Sequence, residues 1–162
     1  IVDKSELLGS KILGYQIIGN DLDLESLAKK YNYAIITVGH IKSALLRIKL
    51  FELAQKAGFI LPSIISPNAH VSKHSKIGKG SIVMHHAIVN ANTSIGDNCI
   101  INSKALIEHD CLISSHCHIS TNATINGGVK IGSKCFVGSN VVTKDNISIK
   151  ENSFIKAGTL VK

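Results

Sequence analysis

From Val71 onward the chain places a branched residue at every sixth position, and this column runs to within one residue of the C-terminus. Val71, Ile77, Val83, Val89, Ile95, Ile101, Ile107, Ile113, Ile119, Ile125, Ile131 and Val137 lie on it, and it continues through Thr143 to Ile149, Ile155 and Val161. Only Thr143 breaks the aliphatic run. Apolar residues of a helix recur at three and four positions. A fixed period of six instead predicts a hexapeptide β-helix, in which three short strands close one triangular coil.

A second column supports the first, because the residue four places after each ruler position is small or branched throughout, from Ser75 and Ser81 to Ser153 and Thr159. All four cysteines, Cys99, Cys111, Cys117 and Cys135, fall in it. Cys99, Cys117 and Cys135 are eighteen apart, so they stack in successive coils about one inter-strand spacing (~4.8 Å) from each other. Their expected role is packing, as small polarizable core residues. Their spacing does not resemble a zinc pattern, and no metal is expected.

The 162 residues allow one domain with a small appendage. The formal net charge of +7 suits an anionic partner. The lysines are scattered and no aromatic platform accompanies them for base stacking, so small phosphorylated molecules such as nucleotides and coenzyme A are favoured over nucleic acid. No signal peptide opens the chain and no stretch approaches the ~20 apolar residues of a membrane span, which together with the cysteine usage predicts a cytoplasmic protein.

Residues 1–66 read differently from residues 67–162, with Pro67 and Asn68 at the junction. Asp21 or Asp23 is placed to cap a short helix through Lys29. Residues 33–38 (YAIITV) read as a buried strand ending at Gly39, residues 42–57 as an amphipathic helix, and Gly58 as its stop. Strand, glycine turn, helix and a further apolar run form the pattern of an α/β unit. The expected architecture is therefore an incomplete, Rossmann-like α/β head followed by an all-β parallel β-helix of about five coils. The chain opens on what reads as the tail of a strand, so an upstream strand and helix are expected to precede Ile1.

This combination resembles the sugar acetyltransferases of the sialic acid O-acetyltransferase (NeuD) and bacterial 4-amino-sugar N-acetyltransferase (PglD) group. The residues that carry the resemblance are I-I-N-S-K-A-L-I-E-H-D-C over residues 100–111, H-I-S-T-N-A-T-I-N-G-G-V-K-I-G over residues 118–132 and F-V-G-S over residues 136–139. The head adds I-V-D-K at residues 1–4, I-L-G-Y-Q-I-I-G-N-D at residues 12–21 and I-T-V-G at residues 36–39. The resemblance implies a left-handed β-helix, against the usual right-handed rule for parallel crossovers, assembled as a homotrimer. It also implies acetyl-CoA as co-substrate and a sugar of a bacterial surface glycan as acceptor.

Carried over residue by residue, the resemblance makes His109 the general base and Asp110 the carboxylate that orients it, with Glu108 a rival for that second role. An amine or hydroxyl attacking a thioester must lose a proton, and imidazole titrates near the working pH. Asn102 matches an asparagine near the acceptor sugar, and Asp3 and Gly39 fall on the nucleotide-sugar side. His118 matches a histidine near the acetyl group in the amino-sugar enzymes, and Ser139 joins it on the acetyl-CoA side. Gly127, one coil after His109, leaves space beside the base and offers a backbone N–H to the developing oxyanion. His40 departs from the asparagine or aspartate usual after the glycine turn, and the glycine-rich turn and the last coil that helps bind coenzyme A are not among these residues.

The implied reaction is N-acetylation of a nucleotide-linked 4-amino-dideoxy sugar. O-acetylation of a sialic acid is the runner-up, and a catalytically silent trimer acting as a scaffold is a third reading. A zinc site built from His70, His74, His85, His86 or His116 across a trimer, as in a γ-class carbonic anhydrase, competes as a different enzyme class but leaves the α/β head unexplained. His116, with His70 and His74, is expected at the surface.

Overall fold

In the computed structural model, which describes all 162 residues, residues 64–161 wind into a parallel β-helix. Two-residue strands stack into three flat sheets of six, six and five strands. The first face runs from Ile64–Ile65 through Ile82–Val83, Ile100–Ile101, His118–Ile119 and Phe136–Val137 to Phe154–Ile155. His70–Val71 to Leu160–Val161 form the second face, and Lys76–Ile77 to Ser148–Ile149 the third. Neighbouring strands pair in parallel at an offset of eighteen, as in Ile107 with Ile125 and Ile119 with Val137. The fold class is the expected left-handed parallel β-helix of about five turns.

Both sequence columns point inward. From Val83 to Ile149 every ruler residue is at most 8% exposed, and Ala87, Cys99, Ala105, Cys117, Ala123, Val129, Cys135 and Val141 are fully buried. Each buried aliphatic side chain contributes roughly 1.5–3 kcal/mol, and β-branching suits the pleated wall. The cysteines are free and buried, and each thiol donates to a carbonyl fifteen residues on, for example Cys117 Sγ to Gly132 O at 3.1 Å. The corners obey a third ruler: every sixth residue from Gly80 to Gly158 has φ between 56° and 71°. Asn92, Asn98, Asn122, Asn140, Asn146 and Asn152 occupy such positions, where a short polar side chain tolerates the left-handed conformation.

The head departs from the expected sheet. Residues 33–38 form no strand; Tyr33 makes one isolated bridge to Ile60, and Val2 makes another to Gly19. The physical reason lies in the carbonyls of Ile36 and Val38, which accept from the Arg47 guanidinium at 2.6 and 2.8 Å rather than from a neighbouring strand. The expected apolar run after Gly58 is also divided, because Ile64–Ile65 already pairs with Ile82–Val83 as the first strand of the β-helix. The boundary drawn at residues 66 and 67 therefore falls inside the first coil. Asn20, not Asp21 or Asp23, caps the helical segment that begins at Asp21: it accepts from Leu22 N–H, and Asp23 accepts from the Asn20 N–H, a reciprocal capping box. The longer helix spans Leu45–Lys56, and Gly58 follows it with φ +100°.

That helix docks on the corner between the third and first faces. Phe51 packs with Ala54 and Leu61, and it lies so close to Gly80 that a Cβ there would sit 2.5 Å from its ring. Arg47, 1% exposed, fastens the seam. Besides Ile36 and Val38, its guanidinium donates to the carbonyls of Asn98 and Gly80, both at 3.3 Å. Burial lowers its pKa to about 10, so it remains charged at neutral pH and is solvated entirely by backbone oxygen. Replacing Arg47 with Met leaves four carbonyls without their donor, and unsatisfied buried groups cost about 1–3 kcal/mol each where water cannot reach them. The expected loss is about 3 kcal/mol in urea unfolding, with protease cutting the head before the β-helix; an Arg47→Met protein as stable and as resistant as the parent contradicts this account of the seam.

Candidate functional site

The E-H-D segment forms the corner between the second and third faces. Asp110 adopts φ 61°, the left-handed conformation shared by the corners from Gly80 to Gly158, and Thr93 braces the turn from the preceding coil. The Thr93 hydroxyl donates to Glu108 O at 2.7 Å and accepts from Cys111 N–H at 3.2 Å. Further bonds tie the turn to both neighbouring coils, from Asp110 N–H to Ala91 O and from Gly128 N–H to His109 O.

On this platform His109 Nδ1–H donates to Asp110 Oδ2 at 2.7 Å. The other carboxylate oxygen of Asp110 accepts from Asn92 Nδ2 at 2.6 Å. Asp110 therefore orients the imidazole, and the rival Glu108 is engaged instead by Asn90 Nδ2 at 2.7 Å. The hydrogen bond that His109 donates to Asp110 holds the His109 pKa above its ordinary value, while the bonds that Asp110 accepts from Asn92 and His109 hold its carboxyl below its own. With Nδ1 carrying the proton, Nε2 is left as the acceptor. The His109 side chain is 64% exposed, so a substrate can reach it.

Gly127 is buried beneath that ring, as the one-coil spacing predicts. A Cβ at residue 127 would lie 3.0 Å from His109 Cε1 and 3.1 Å from Nε2. The glycine thus exists for close approach and not for a special dihedral, since φ is positive at Gly128 and not at Gly127. The N–H of Gly127 has no acceptor within the chain.

A second group of predicted residues meets elsewhere. His118 lies on the first face under the head, 8% exposed. Its Nδ1–H donates to the His40 carbonyl at 2.7 Å, and Asn102 Nδ2 donates to its Nε2 at 3.3 Å. Burial lowers the His118 pKa, so the ring is neutral. The ring of His40 packs edge-on against it with centroids 5.5 Å apart, and Phe136 does so from the next coil at 5.2 Å. His40 itself is 7% exposed, and burial and the neighbouring His118 push its pKa down to about 4. The sequence sets no direct role for His40; its carbonyl, which carries no residue signature, fixes the tautomer of His118.

The first face lies opposite the corner that carries His109. One chain consequently keeps the His109–Asp110–Gly127 group apart from the His118–Asn102 pair. Ser139, half-buried, exchanges a hydrogen bond with Ser120 at 3.0 Å. Asp3 caps its own neighbour, accepting from Lys4 N–H, and is bonded through its N–H to Gly19 O. Gly39 is exposed, with nothing within 4 Å of where a Cβ would stand. His116 is not on the open surface as expected: Asn98 bonds its Nδ1 at 3.1 Å and Phe51 covers its ring. His85 bonds to Ser66, and no group of three or more His, Cys, Asp or Glu side chains is gathered as a metal site. No helix is long and apolar enough to cross a membrane.

The bacterial transferase hexapeptide family (six repeats) matches residues 74–109 and 110–145. Comparison with curated protein sequences returns no significant match. Among solved structures, a mutant of perosamine N-acetyltransferase from Caulobacter crescentus in complex with CoA and GDP-perosamine is 30% identical, with TM-score 0.91, over 98% of this chain and 74% of that one. The acetyltransferase domain of PglB from Neisseria gonorrhoeae is 31% identical, with TM-score 0.91, over 99% and 77%. PerB from Caulobacter crescentus, with CoA and GDP-perosamine, is 32% identical, with TM-score 0.88, over 93% and 72%. Repeat, head and likeness agree, and the chain belongs to the hexapeptide-repeat sugar acetyltransferases of the NeuD/PglD type, enzymes dependent on acetyl-CoA.

Proposed function

We propose that this enzyme transfers the acetyl group of acetyl-CoA to the amine of a nucleotide-linked 4-amino-dideoxy sugar in bacterial surface glycan biosynthesis, with His109 as general base. The observation that carries the reading is the His109–Asp110 pair, oriented at 2.7 Å, exposed, and set against Gly127. The perosamine enzymes, whose structures hold CoA and GDP-perosamine, and the PglB domain in complex with acetyl coenzyme A support the choice of substrates. In this reading the sugar amine attacks the thioester carbonyl, a C–N bond forms, and His109 Nε2 takes the amine proton. Gly127 N–H donates to the carbonyl oxygen as it gains charge. Collapse breaks the C–S bond, and the His109 imidazolium returns the proton to the departing thiolate, so atoms and charge balance.

Asn102 and His118 are read as contacts for the acceptor sugar and the acetyl group, Asp3 and Gly39 as part of the nucleotide-sugar side, and Ser139 as part of the acetyl-CoA side. These groups come together if the working unit is a homotrimer, in which the His109 corner of one subunit meets a face of the next. The second face supports that assembly, because its outward column exposes Ile88 and Val142 at 39% and Leu160 at 59%, an unusual load of apolar surface. Sedimentation at micromolar concentration is expected to give a trimer; a stable monomer would remove any site shared between subunits. The enzyme is read as cytoplasmic, where acetyl-CoA and nucleotide sugars are made.

Incubation with acetyl-CoA and a panel of nucleotide-linked amino sugars, followed by free-thiol release, is expected to show turnover. Turnover on sialic acids alone would favour O-acetylation, and none on any acceptor would favour a scaffold. His109→Ala should lower kcat by roughly 10²- to 10⁴-fold, the range for losing acid–base catalysis, with acetyl-CoA still bound. A folded variant within a few-fold of the parent would take His109 out of the mechanism.

The pH profile follows from the raised His109 pKa. The base works unprotonated, so kcat/KM climbs with pH through that pKa, and the parent's rising limb lies above the ordinary histidine value of ~6.5. Asp110→Asn removes the carboxylate that raises it, which should move the limb to lower pH and reduce the maximum rate. A limb that stays in place would show that another group sets it.

A further inference from the structure

Along the β-helix, the N–H that follows each ruler residue donates to the carbonyl of the ruler residue one coil on. Asn90 N–H donates to Ile107 O, Glu108 N–H to Ile125 O and Ser114 N–H to Ile131 O, each at 2.9 Å, and Lys144 N–H donates to Val161 O at 2.7 Å. Asn126 departs from this rule. Its N–H donates to the Thr143 hydroxyl at 2.9 Å, and its side-chain Nδ2 takes the Thr143 carbonyl at 2.7 Å. The strand pairing records the same break, since Thr124 is matched with Val142 but Ile125 is not matched with Thr143.

Thr143 is also the residue that interrupts the aliphatic column, and it is 1% exposed. A hydroxyl in an apolar core is unfavourable unless it is hydrogen-bonded, and valine, of nearly the same shape, would continue the column with a regular ladder. Packing therefore gives no reason for threonine. Its effect falls on the turn that follows Asn126. There Gly127 O is held by Asn146 N–H and Gly128 N–H by His109 O, both at 2.9 Å, the bonds found at the other corners, and Gly127 N–H, like Ala91 N–H and His109 N–H at the same place in their coils, has no acceptor; at residue 127 it lies under the His109 ring.

We propose that Thr143 is a positioning residue for acetyl transfer: by diverting the Asn126 N–H onto its hydroxyl and the Asn126 amide onto its carbonyl, it sets the turn so that Gly127 N–H faces the thioester oxygen. This rests on the acetyl-transfer reading above. The diverted bonds insert the Thr143 hydroxyl and the Asn126 amide between two backbone groups that elsewhere meet directly. Asn126, the residue before Gly127, is thereby held to the next coil through side chains, where its counterparts Asn90 and Glu108 use a direct ladder bond.

The test compares Thr143→Val, Thr143→Ala and Thr143→Ser with the full parent trimer. Crystal structures, melting temperatures, kcat and KM for acetyl-CoA, and calorimetric affinities for CoA and acetyl-CoA without acceptor are measured. Without the hydroxyl, Asn126 N–H is expected to return to the residue-143 carbonyl. In Thr143→Val the melting temperature should be unchanged or higher, kcat at least ten-fold lower with KM little changed, and the preference for acetyl-CoA over CoA reduced. Thr143→Ser should restore both kcat, to within about three-fold, and that preference. A Thr143→Val enzyme, or Thr143→Ala if valine does not fold, with parental kcat and preference overturns the proposal. So does a crystal structure in which the diverted bond geometry of Asn126 persists without the hydroxyl. A parent that transfers no acetyl group to any acceptor instead overturns the acetyl-transfer reading, while the crystal structures still decide whether Thr143 sets the turn.

Discussion

The parallel ladder between coils governs this molecule. A strand N–H donates to a carbonyl seventeen residues on, as Ile100 does to Cys117 and Leu112 does to Val129, while the corner residues reach back to the coil before. Two-residue strands are too short to persist alone, so each coil is ordered by its neighbours on both sides. The corner that carries His109 inherits this constraint. His109 and Asp110 sit on an exposed turn, yet their backbone is bonded to Ala91 on one side and Gly128 on the other. A reactive side chain can then face solvent without the mobility that exposure usually brings.

Two histidines with the same reference pKa are driven apart by their surroundings. His109 keeps water and gains a carboxylate, so its charged form is favoured and its pKa is raised. His118 loses water, and this disfavours its charged form more than the hydrogen bond to the His40 carbonyl favours it. The first is suited to moving a proton and the second to accepting a hydrogen bond in a fixed tautomer. Desolvation and hydrogen bonding act in opposite senses here, and the corner or face of the prism on which each residue lies decides which prevails.

The head matters through the backbone it presents. Arg47 gathers carbonyls from the head (Ile36, Val38) and from the β-helix (Asn98, Gly80) around one buried charge. Two residues beyond Val38, the His40 carbonyl grips His118. The Gly39 turn therefore stands between a cation that fastens head to β-helix and the histidine that the head orients. A change in that turn would be felt at His118, because no flexible linker separates them.

The amino-acid sequence by itself determined the coil, its inward columns, the packing role of the cysteines and the stacking of His109 over Gly127, because a period of eighteen turns position along the chain into position in space. A column rich in asparagine and glycine at the corners is equally legible, since residues tolerant of positive φ serve best there. The head resisted: residues 33–38 have the composition of a strand, but a side chain from the next helix satisfies their carbonyls. His116 shows the same limit, exposed by its place in the repeat and covered by Phe51. Only the tertiary structure decided that Asp110 rather than Glu108 bonds the His109 ring, that His40 and Asn102 fix His118, and that Thr143 diverts a ladder bond. Those contacts join a side chain to whichever backbone or amide group the fold brings within reach, and since nearly every residue carries an N–H and a carbonyl, no residue type or spacing announces them.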